Sequence, residues 1–155
     1  MPANEGTAEA ATASERRRAV VVGVDGSEPS SRALAFAAEE ARLRGASLRV
    51  VYAWSLPALS TTAYLPPEAF EGVAEDAERL VRRQVAEVLG DEPDVPVDYE
   101  IESGPPANVI LGAAKDALLV VVGSRGRGGF AGLLLGSVST QVAHHASCPV
   151  VIVRS

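Results

Sequence analysis

The segment Ala19-Val-Val-Val-Gly-Val-Asp-Gly-Ser-Glu-Pro-Ser-Ser31 is the most informative about architecture, because a continuous apolar run leads directly into a helix start. Such a run without alternation is typical of a strand that is buried on both faces. Ser27 is a favoured helix N-cap, Glu28 suits the positive end of the helix dipole, and Pro29 is tolerated in the first turn. The segment predicts a buried strand, a tight turn and a helix, which is the beginning of a βαβ unit.

The rest of the chain repeats this alternation. The further predicted strands are Leu48–Trp54, Val95–Ile101, Leu118–Val122 and Pro149–Val153. The first predicted helix ends near Arg44, the second begins at Pro66 and Pro67, and the third and fourth cover Pro105–Lys115 and Ser137–Ala146. The second helix has an apolar face that includes Phe70. Five strands alternating with four helices predict an α/β fold with an open, doubly wound five-stranded parallel sheet and helices on both faces. The alternating third strand and the short last strand are expected at the edges.

Composition and charge limit the functions that this chain can have. The 155 residues suit one domain, which we place at residues 19–155, after a disordered tail at 1–18. The net charge of −6 disfavours nucleic acid as a partner. No apolar run is long enough to cross a bilayer, and the start of the chain lacks signal-peptide character. With only Cys148 present, a cytoplasmic protein is expected.

The segment from Gly123 to Gly136 contains six of the fourteen glycines of the chain. It follows the predicted fourth strand and leads into a helix that starts at Ser137. Glycines let a backbone approach a ligand closely, and a helix N-terminus offers unpaired N–H groups to an anion. The pattern predicts a phosphate-binding loop, to which the guanidinium groups of Arg125 and Arg127 would contribute.

Three familiar motifs are absent. A Walker A loop needs Gly-Lys-Ser/Thr, but the only lysine, Lys115, is far from any glycine run. The turn after the first strand, Gly23-Val-Asp-Gly26, lacks the dinucleotide fingerprint, which disfavours NAD and FAD. No nucleophile elbow surrounds Ser124 or Ser137, so a hydrolase triad has no anchor. His144, His145 and Cys148 do not form a convincing metal site, because adjacent histidines point to different faces.

The spacing Gly123-x2-Gly126-x9-Gly136-Ser137, together with Gly23-Val-Asp-Gly-Ser27 and the ending Cys148-Pro-Val-Val-Ile152, resembles the universal stress protein (UspA-like) family over nearly all of residues 19–155. The resemblance implies a Rossmann-like fold and membership of a single-domain, ATP-binding subgroup. It implies that Asp25 lies at the ribose with Gly23 and Val24 beside it, and that the Ala53 backbone lies at the adenine edge. The candidate ribose and phosphate contacts are Gly123, Arg125, Gly126, Arg127, Gly128, Gly136, Ser137, Val138 and Ser139.

The expected function is therefore nucleotide-dependent stress signalling by an ATP-binding protein. Magnesium is expected to accompany ATP and to contact Asp25. No catalytic residue is predicted, because no general base or lysine is evident for the γ-phosphate. A slow ATPase or nucleotide-transferring enzyme, and a dimer module that binds no nucleotide, remain as alternatives. The resemblance also implies a homodimer formed through the last strand, which is short and apolar.

Overall fold

The computed structural model describes residues 12, 14, 18–55, 66–126, 132 and 134–154. The predicted alternation of five strands and four helices is confirmed. The elements are β1 (Ala19–Gly23), α1 (Glu28–Arg44), β2 (Ser47–Trp54), α2 (Pro67–Leu89), β3 (Val97–Ser103), α3 (Pro106–Ala113), β4 (Leu119–Gly123), α4 (Ser137–His145) and β5 (Val150–Val153). The predicted tail at 1–18 falls almost entirely outside the described residues.

The five strands form one parallel sheet in the order β3-β2-β1-β4-β5. β1 lies at the centre and is buried along its whole length, as its unbroken apolar run predicts. β3 and β5 are at the two edges, as expected. The chain moves outward from β1 through β2 to β3 and then returns to build β4 and β5 on the other side. The winding therefore reverses between β1 and β4, and an open cleft is expected beyond their carboxyl ends.

Helices cover both faces of the sheet, which confirms the predicted layering. On one face, Leu34 of α1 and Val81 of α2 belong to the same hydrophobic cluster as Val20 and Val50. On the other face, Ile110 of α3 and Val142 of α4 belong to a second cluster with Val21 and Val122. Alternate residues of β1 thus contribute to opposite cores, since successive side chains of a strand point to opposite faces.

The ends of α1 follow from the sequence. The Ser27 side chain accepts a hydrogen bond from the Ser30 amide at 3.3 Å, and Glu28 and Pro29 occupy the first turn. Gly45 ends the helix in the left-handed conformation at φ 60°, where its N–H bonds back to helix carbonyls. The beginning of α1 is consequently fixed relative to the carboxyl end of β1.

Two details differ from the sequence expectation. β3 extends from Val97 to Ser103 because Ser103 still pairs with Trp54 at the end of β2. The placement of Phe70 on the buried face of α2 was wrong, since Phe70 is 41% exposed. A helix as long as α2 spans about 35 Å at ~1.5 Å per residue, which exceeds the length of these strands, so its first turns extend past the sheet.

Within the described residues, no helix combines the length and apolar character needed to span a membrane.

Candidate functional site

A cavity of about 780 Å³ lies at the carboxyl ends of β1 and β4. This is the point where the winding of the sheet reverses. Of the thirteen positions singled out from the sequence, those that line the cavity are Gly23, Val24, Asp25, Ala53, Gly123, Arg125, Gly126, Gly136, Ser137, Val138 and Ser139. The other two, Arg127 and Gly128, lie outside the described residues. The structure thus brings together predicted residues from four separate segments of the chain.

The turn between β1 and α1 presents the Asp25 side chain. Its Oδ1 atom accepts hydrogen bonds from the Ser27 amide, at 2.9 Å, and from the Ser27 hydroxyl. The Asp25 amide donates to the Ser30 hydroxyl at 3.2 Å, and Gly26 takes a positive φ of 82° that favours glycine. The carboxylate is therefore held by its own turn at the rim of the cavity.

The inner end of the cavity is apolar. Val51, Ile110 and Val122 line it, together with the start of α3 at Pro106. A Cβ atom at Gly23 would lie 2.5 Å from Ile110 Cδ1, so Gly23 allows α3 to pack closely against the end of β1. Sequence analysis missed these walls because Val51 and Ile110 read as ordinary core residues.

The main chain of Ala53 faces the cavity. Val24 donates to the Val51 carbonyl at 2.9 Å, so the polar groups of Val51 point toward β1. Backbone groups two residues apart on a strand point the same way. The N–H and C=O of Ala53 therefore point past the end of β1, into the space where the cavity lies.

The loop from β4 to α4 is closed at its two ends by main-chain contacts. The Gly136 amide donates to the Ser124 carbonyl at 2.6 Å, and the buried Ser139 hydroxyl lies 3.0 Å from both the Ser124 and the Gly136 carbonyl, so its one hydrogen can bond to either. A Cβ atom at Gly126 would lie 2.9 Å from Asp25 Oδ2, so this glycine lets the loop approach the first turn.

The start of α4 is open. Its N-cap is Gly136, and no side chain caps it. Ser137 is the first helical residue, as the sequence predicts, and is therefore not the N-cap. The first amides of a nine-residue helix thus lie in the cavity wall without a side-chain acceptor, an arrangement that suits an anion.

The charges at the cavity are few. Among the described residues that line it, only Asp25 and Arg125 are charged, and Arg125 is exposed. No cluster of three or more His, Cys, Asp or Glu side chains occurs in the described part of the chain. Cys148 is half-buried and outside the cavity, and desolvation raises the pKa of its thiol despite opposing backbone hydrogen bonds. The described residues therefore offer this site main-chain groups, one carboxylate and one guanidinium, together with the uncharged hydroxyl and amide side chains of the lining.

Comparisons with known proteins give a consistent result. The model of the universal stress protein family matches residues 16–154. A universal stress protein of Mycobacterium tuberculosis is 42% identical over 135 residues, which are 87% of this chain and 45% of that protein. The chain spans less than half the length of the curated relatives it matches.

Solved structures agree with the fold. The universal stress protein UspA from Lactobacillus plantarum has a TM-score of 0.71 at 26% identity, covering 90% of this chain and 99% of that one. A universal stress protein in complex with cAMP has a TM-score of 0.56 at 28% identity, covering 88% and 96%. Another from Archaeoglobus fulgidus, in complex with dAMP, has a TM-score of 0.51 at 28% identity, covering 86% and 94%. This chain belongs to the universal stress protein family.

Proposed function

We propose that the cavity binds an adenine nucleotide, with ATP as the preferred ligand, and that the protein is a nucleotide-dependent module of stress signalling. One observation carries the proposal: residues expected from sequence to contact base, ribose and phosphates come from four separate segments and line one cavity. Two structural relatives at 28% identity were solved with cAMP and dAMP, which supports an adenine nucleotide as the ligand class.

The apolar end of the cavity suits the base. Val51, Ile110 and Val122 offer aliphatic surface on which a purine can stack. The Ala53 main chain provides a donor and an acceptor at the edge of this surface. Adenine presents a matching acceptor and donor on its Watson–Crick edge, whereas guanine presents the reverse pattern. The site should therefore prefer adenine over guanine.

The opposite end suits the phosphates. The uncapped start of α4 and the glycine-lined approach at Gly126 provide main-chain N–H groups, and Arg125 adds a guanidinium at the rim. Asp25 lies between the two ends, at the place for a ribose. Carboxylates accept hydrogen bonds from hydroxyl groups, and these charge-assisted bonds are among the strong ones.

The site also fits magnesium in its usual role with nucleotides. Magnesium is commonly bound by one or two carboxylates and substrate phosphates rather than by a cage of protein ligands. The described residues offer one carboxylate at the cavity, Asp25, and no cluster for an independent metal site. We propose that ATP carries magnesium into the site, where the ion neutralises phosphate charge beside an acidic domain.

Calorimetric titration with ATP, AMP, cAMP and GTP, each with and without magnesium, tests the proposal. We expect the adenine nucleotides to bind more tightly than GTP, and ATP to gain most from magnesium. Failure of every adenine nucleotide to bind at millimolar concentration would overturn the proposal. Nucleotide recovered after a long incubation should remain ATP, whereas accumulation of ADP and free phosphate would favour the enzymatic alternative.

We further propose a homodimer formed through β5. β5 is an edge strand whose residues are all partly exposed. The carbonyls of Pro149 and Val153 accept hydrogen bonds from the β4 side. Backbone polar groups of successive strand residues point to opposite sides, so the N–H and C=O of Ile152 point away from β4, toward the open edge of the sheet. Ile152→Pro removes this outward N–H and should convert a dimer to a monomer in light scattering, while Ile152→Val should not. A wild-type monomer at high concentration would contradict the proposal.

A further inference from the structure

A buried polar residue interrupts the apolar face of α2. Gln84 is 5% exposed and lies three and seven residues after the buried residues Val81 and Ala77, on the same face of the helix. Burial of a side-chain amide without hydrogen bonds is costly. The position of Gln84 therefore requires specific partners.

All the partners of Gln84 lie in the turn that begins α1. Its Oε1 atom accepts a hydrogen bond from the Gly26 amide at 3.0 Å. Its Nε2 atom donates to the Ser30 hydroxyl at 2.8 Å and to the Ser31 hydroxyl at 2.9 Å. These contacts join residues that are 53 to 58 positions apart in the chain. They fasten α2 to the segment that carries Asp25.

The chemistry of the partners fixes the orientation of the amide. A main-chain N–H such as that of Gly26 only donates, so it must face the oxygen of Gln84. The Ser27 carbonyl, 3.4 Å from Nε2, only accepts, so it must face the nitrogen. An amide satisfies both sides of this turn at once. Neither a carboxylate nor an aliphatic side chain of the same length provides both groups.

Ser30 extends this link to Asp25. The Ser30 hydroxyl accepts from Gln84 Nε2 and from the Asp25 amide, and it donates to the Ser27 carbonyl at 2.9 Å. One donor and two acceptors are the full capacity of a hydroxyl group. Gln84 therefore holds the Asp25 main chain on one side through Gly26 and on the other through Ser30.

We propose that Gln84 is the positioning residue for Asp25 and sets the preference of the site for nucleotides that carry ribose hydroxyl groups. The inference rests on the proposed nucleotide function. Gln84 is not among the residues that line the cavity, so it acts on the ligand only through the turn. Its removal should weaken the contact with the sugar and leave the contacts with base and phosphates in place.

The test compares ATP with 2′,3′-dideoxy-ATP, which lacks both ribose hydroxyls. A hydrogen bond to a charged group makes the wild-type protein prefer ATP by on the order of tenfold. Gln84→Met keeps the length of the side chain but removes both polar groups. In this variant the preference for ATP should fall to about threefold or less, while the affinity for dideoxy-ATP changes little.

Two serine variants provide a matched pair. Ser30→Ala breaks one of the two links between Gln84 and Asp25 and leaves the link through Gly26, whereas Ser31→Ala removes a partner of Gln84 that has no hydrogen bond to Asp25. We expect Ser30→Ala to reduce the preference for ATP, as Gln84→Met does, and Ser31→Ala to retain it. Because Ser30 also lines the cavity, a reduced preference in Ser30→Ala supports the link only if the affinity for dideoxy-ATP stays unchanged, and an equal loss for both nucleotides would count against it.

A measurement without nucleotide completes the test. Hydrogen exchange of the Gly26 amide should accelerate in Gln84→Met, because its acceptor is lost. If wild-type protein does not bind ATP, the proposed function is wrong, whatever the exchange result. If wild-type protein binds and prefers ATP but Ser30→Ala, and Gln84→Met where it folds, retain that preference, the role of Gln84 is overturned while the proposed function stands.

Discussion

Two loops meet at the cavity, and they are built in opposite ways. The turn between β1 and α1 is short and is held by side chains: Asp25, Ser27 and Ser30 bond to one another, and Gln84 reaches across from α2. At its described ends, the loop between β4 and α4 is closed on the main-chain carbonyl of Ser124, which accepts hydrogen bonds from the Gly136 amide and the Ser139 hydroxyl.

The difference follows from what each loop presents to the cavity. The first presents a carboxylate, whose orientation must be fixed by hydrogen bonds from neighbouring side chains. The second presents main-chain N–H groups, which require that side chains be absent so that the ligand and the first turn can approach. Removing side chains from the first loop should therefore weaken ligand binding, and adding side chains to the second loop should do the same.

The largest effect is expected from adding a side chain to the second loop. In Gly126→Val, the new Cβ would lie 2.9 Å from Asp25 Oδ2, so either the loop or the carboxylate must move. Overpacking of this kind costs about 1–3 kcal/mol, and if the cost falls on the ligand-bound geometry it corresponds to a roughly five- to 150-fold loss of ATP affinity. Calorimetric titration measures the loss.

Gly112→Val is the matched control, since a Cβ at Gly112 has nothing within 4 Å outside its own helix. Its ATP affinity should equal that of the wild-type protein. Unchanged affinity in Gly126→Val would show that the close approach of the two loops is not needed for binding.

The next effect tests the carboxylate of the first loop. Asp25→Asn keeps an acceptor for the Ser27 amide but removes the charge, and a hydrogen bond to a charged group contributes about 1.5–3 kcal/mol. In titrations without magnesium, we expect ATP affinity to fall by roughly tenfold and dideoxy-ATP affinity to change little. Asp98→Asn, on the exposed surface of β3, serves as the control. Equal losses for both nucleotides would contradict a ribose contact.

A stability measurement tests the same contrast between the two loops. Ser27→Ala removes the side-chain cap of α1 and should lower the free energy of unfolding by about 1 kcal/mol. Ser137→Ala is the counterpart at α4, where Gly136 is the N-cap and no side chain caps the helix, so stability should be nearly unchanged. Urea unfolding of nucleotide-free protein measures both. Similar losses of unfolding free energy in the two variants would mean that the two helix N-termini do not differ in side-chain capping.

The sequence predicts those features that depend on local patterns. The buried run of β1, the capping serine of α1 and the alternating β3 each follow from a few consecutive residues, and chain-connection rules then order the sheet. The glycine loop and Asp25 are recognisable for the same reason. The ends of elements are less predictable, since Ser103 extends β3 only because Trp54 is its partner in β2.

Features that depend on distant partners were missed. Gln84 has its hydrogen-bond partners in the turn that starts α1, far away in sequence. One signal was available: a glutamine placed where the spacing of Ala77, Val81 and Val88 requires an apolar residue. A polar residue at such a position predicts a buried partner without identifying it. The aliphatic cavity walls at Val51 and Ile110 could not be predicted, because an apolar cavity and a hydrophobic core both favour the same buried aliphatic side chains.

The smallest effect concerns the one charged side chain that the second loop contributes among the described residues. Arg125 lines the cavity but is exposed, so water screens its attraction for phosphates. Exposed ion pairs contribute about 0.2–1 kcal/mol, and Arg125→Ala should therefore weaken ATP binding by only about two- to fivefold. The loss should be absent for adenosine and should shrink as salt rises, since the Debye length is about 10 Å at 0.1 M. Arg83→Ala, on the exposed surface of α2, controls for net charge. A loss much larger than this, or one that adenosine shares, would mean that the second loop acts through a side chain after all, and that the contrast between the two loops does not hold.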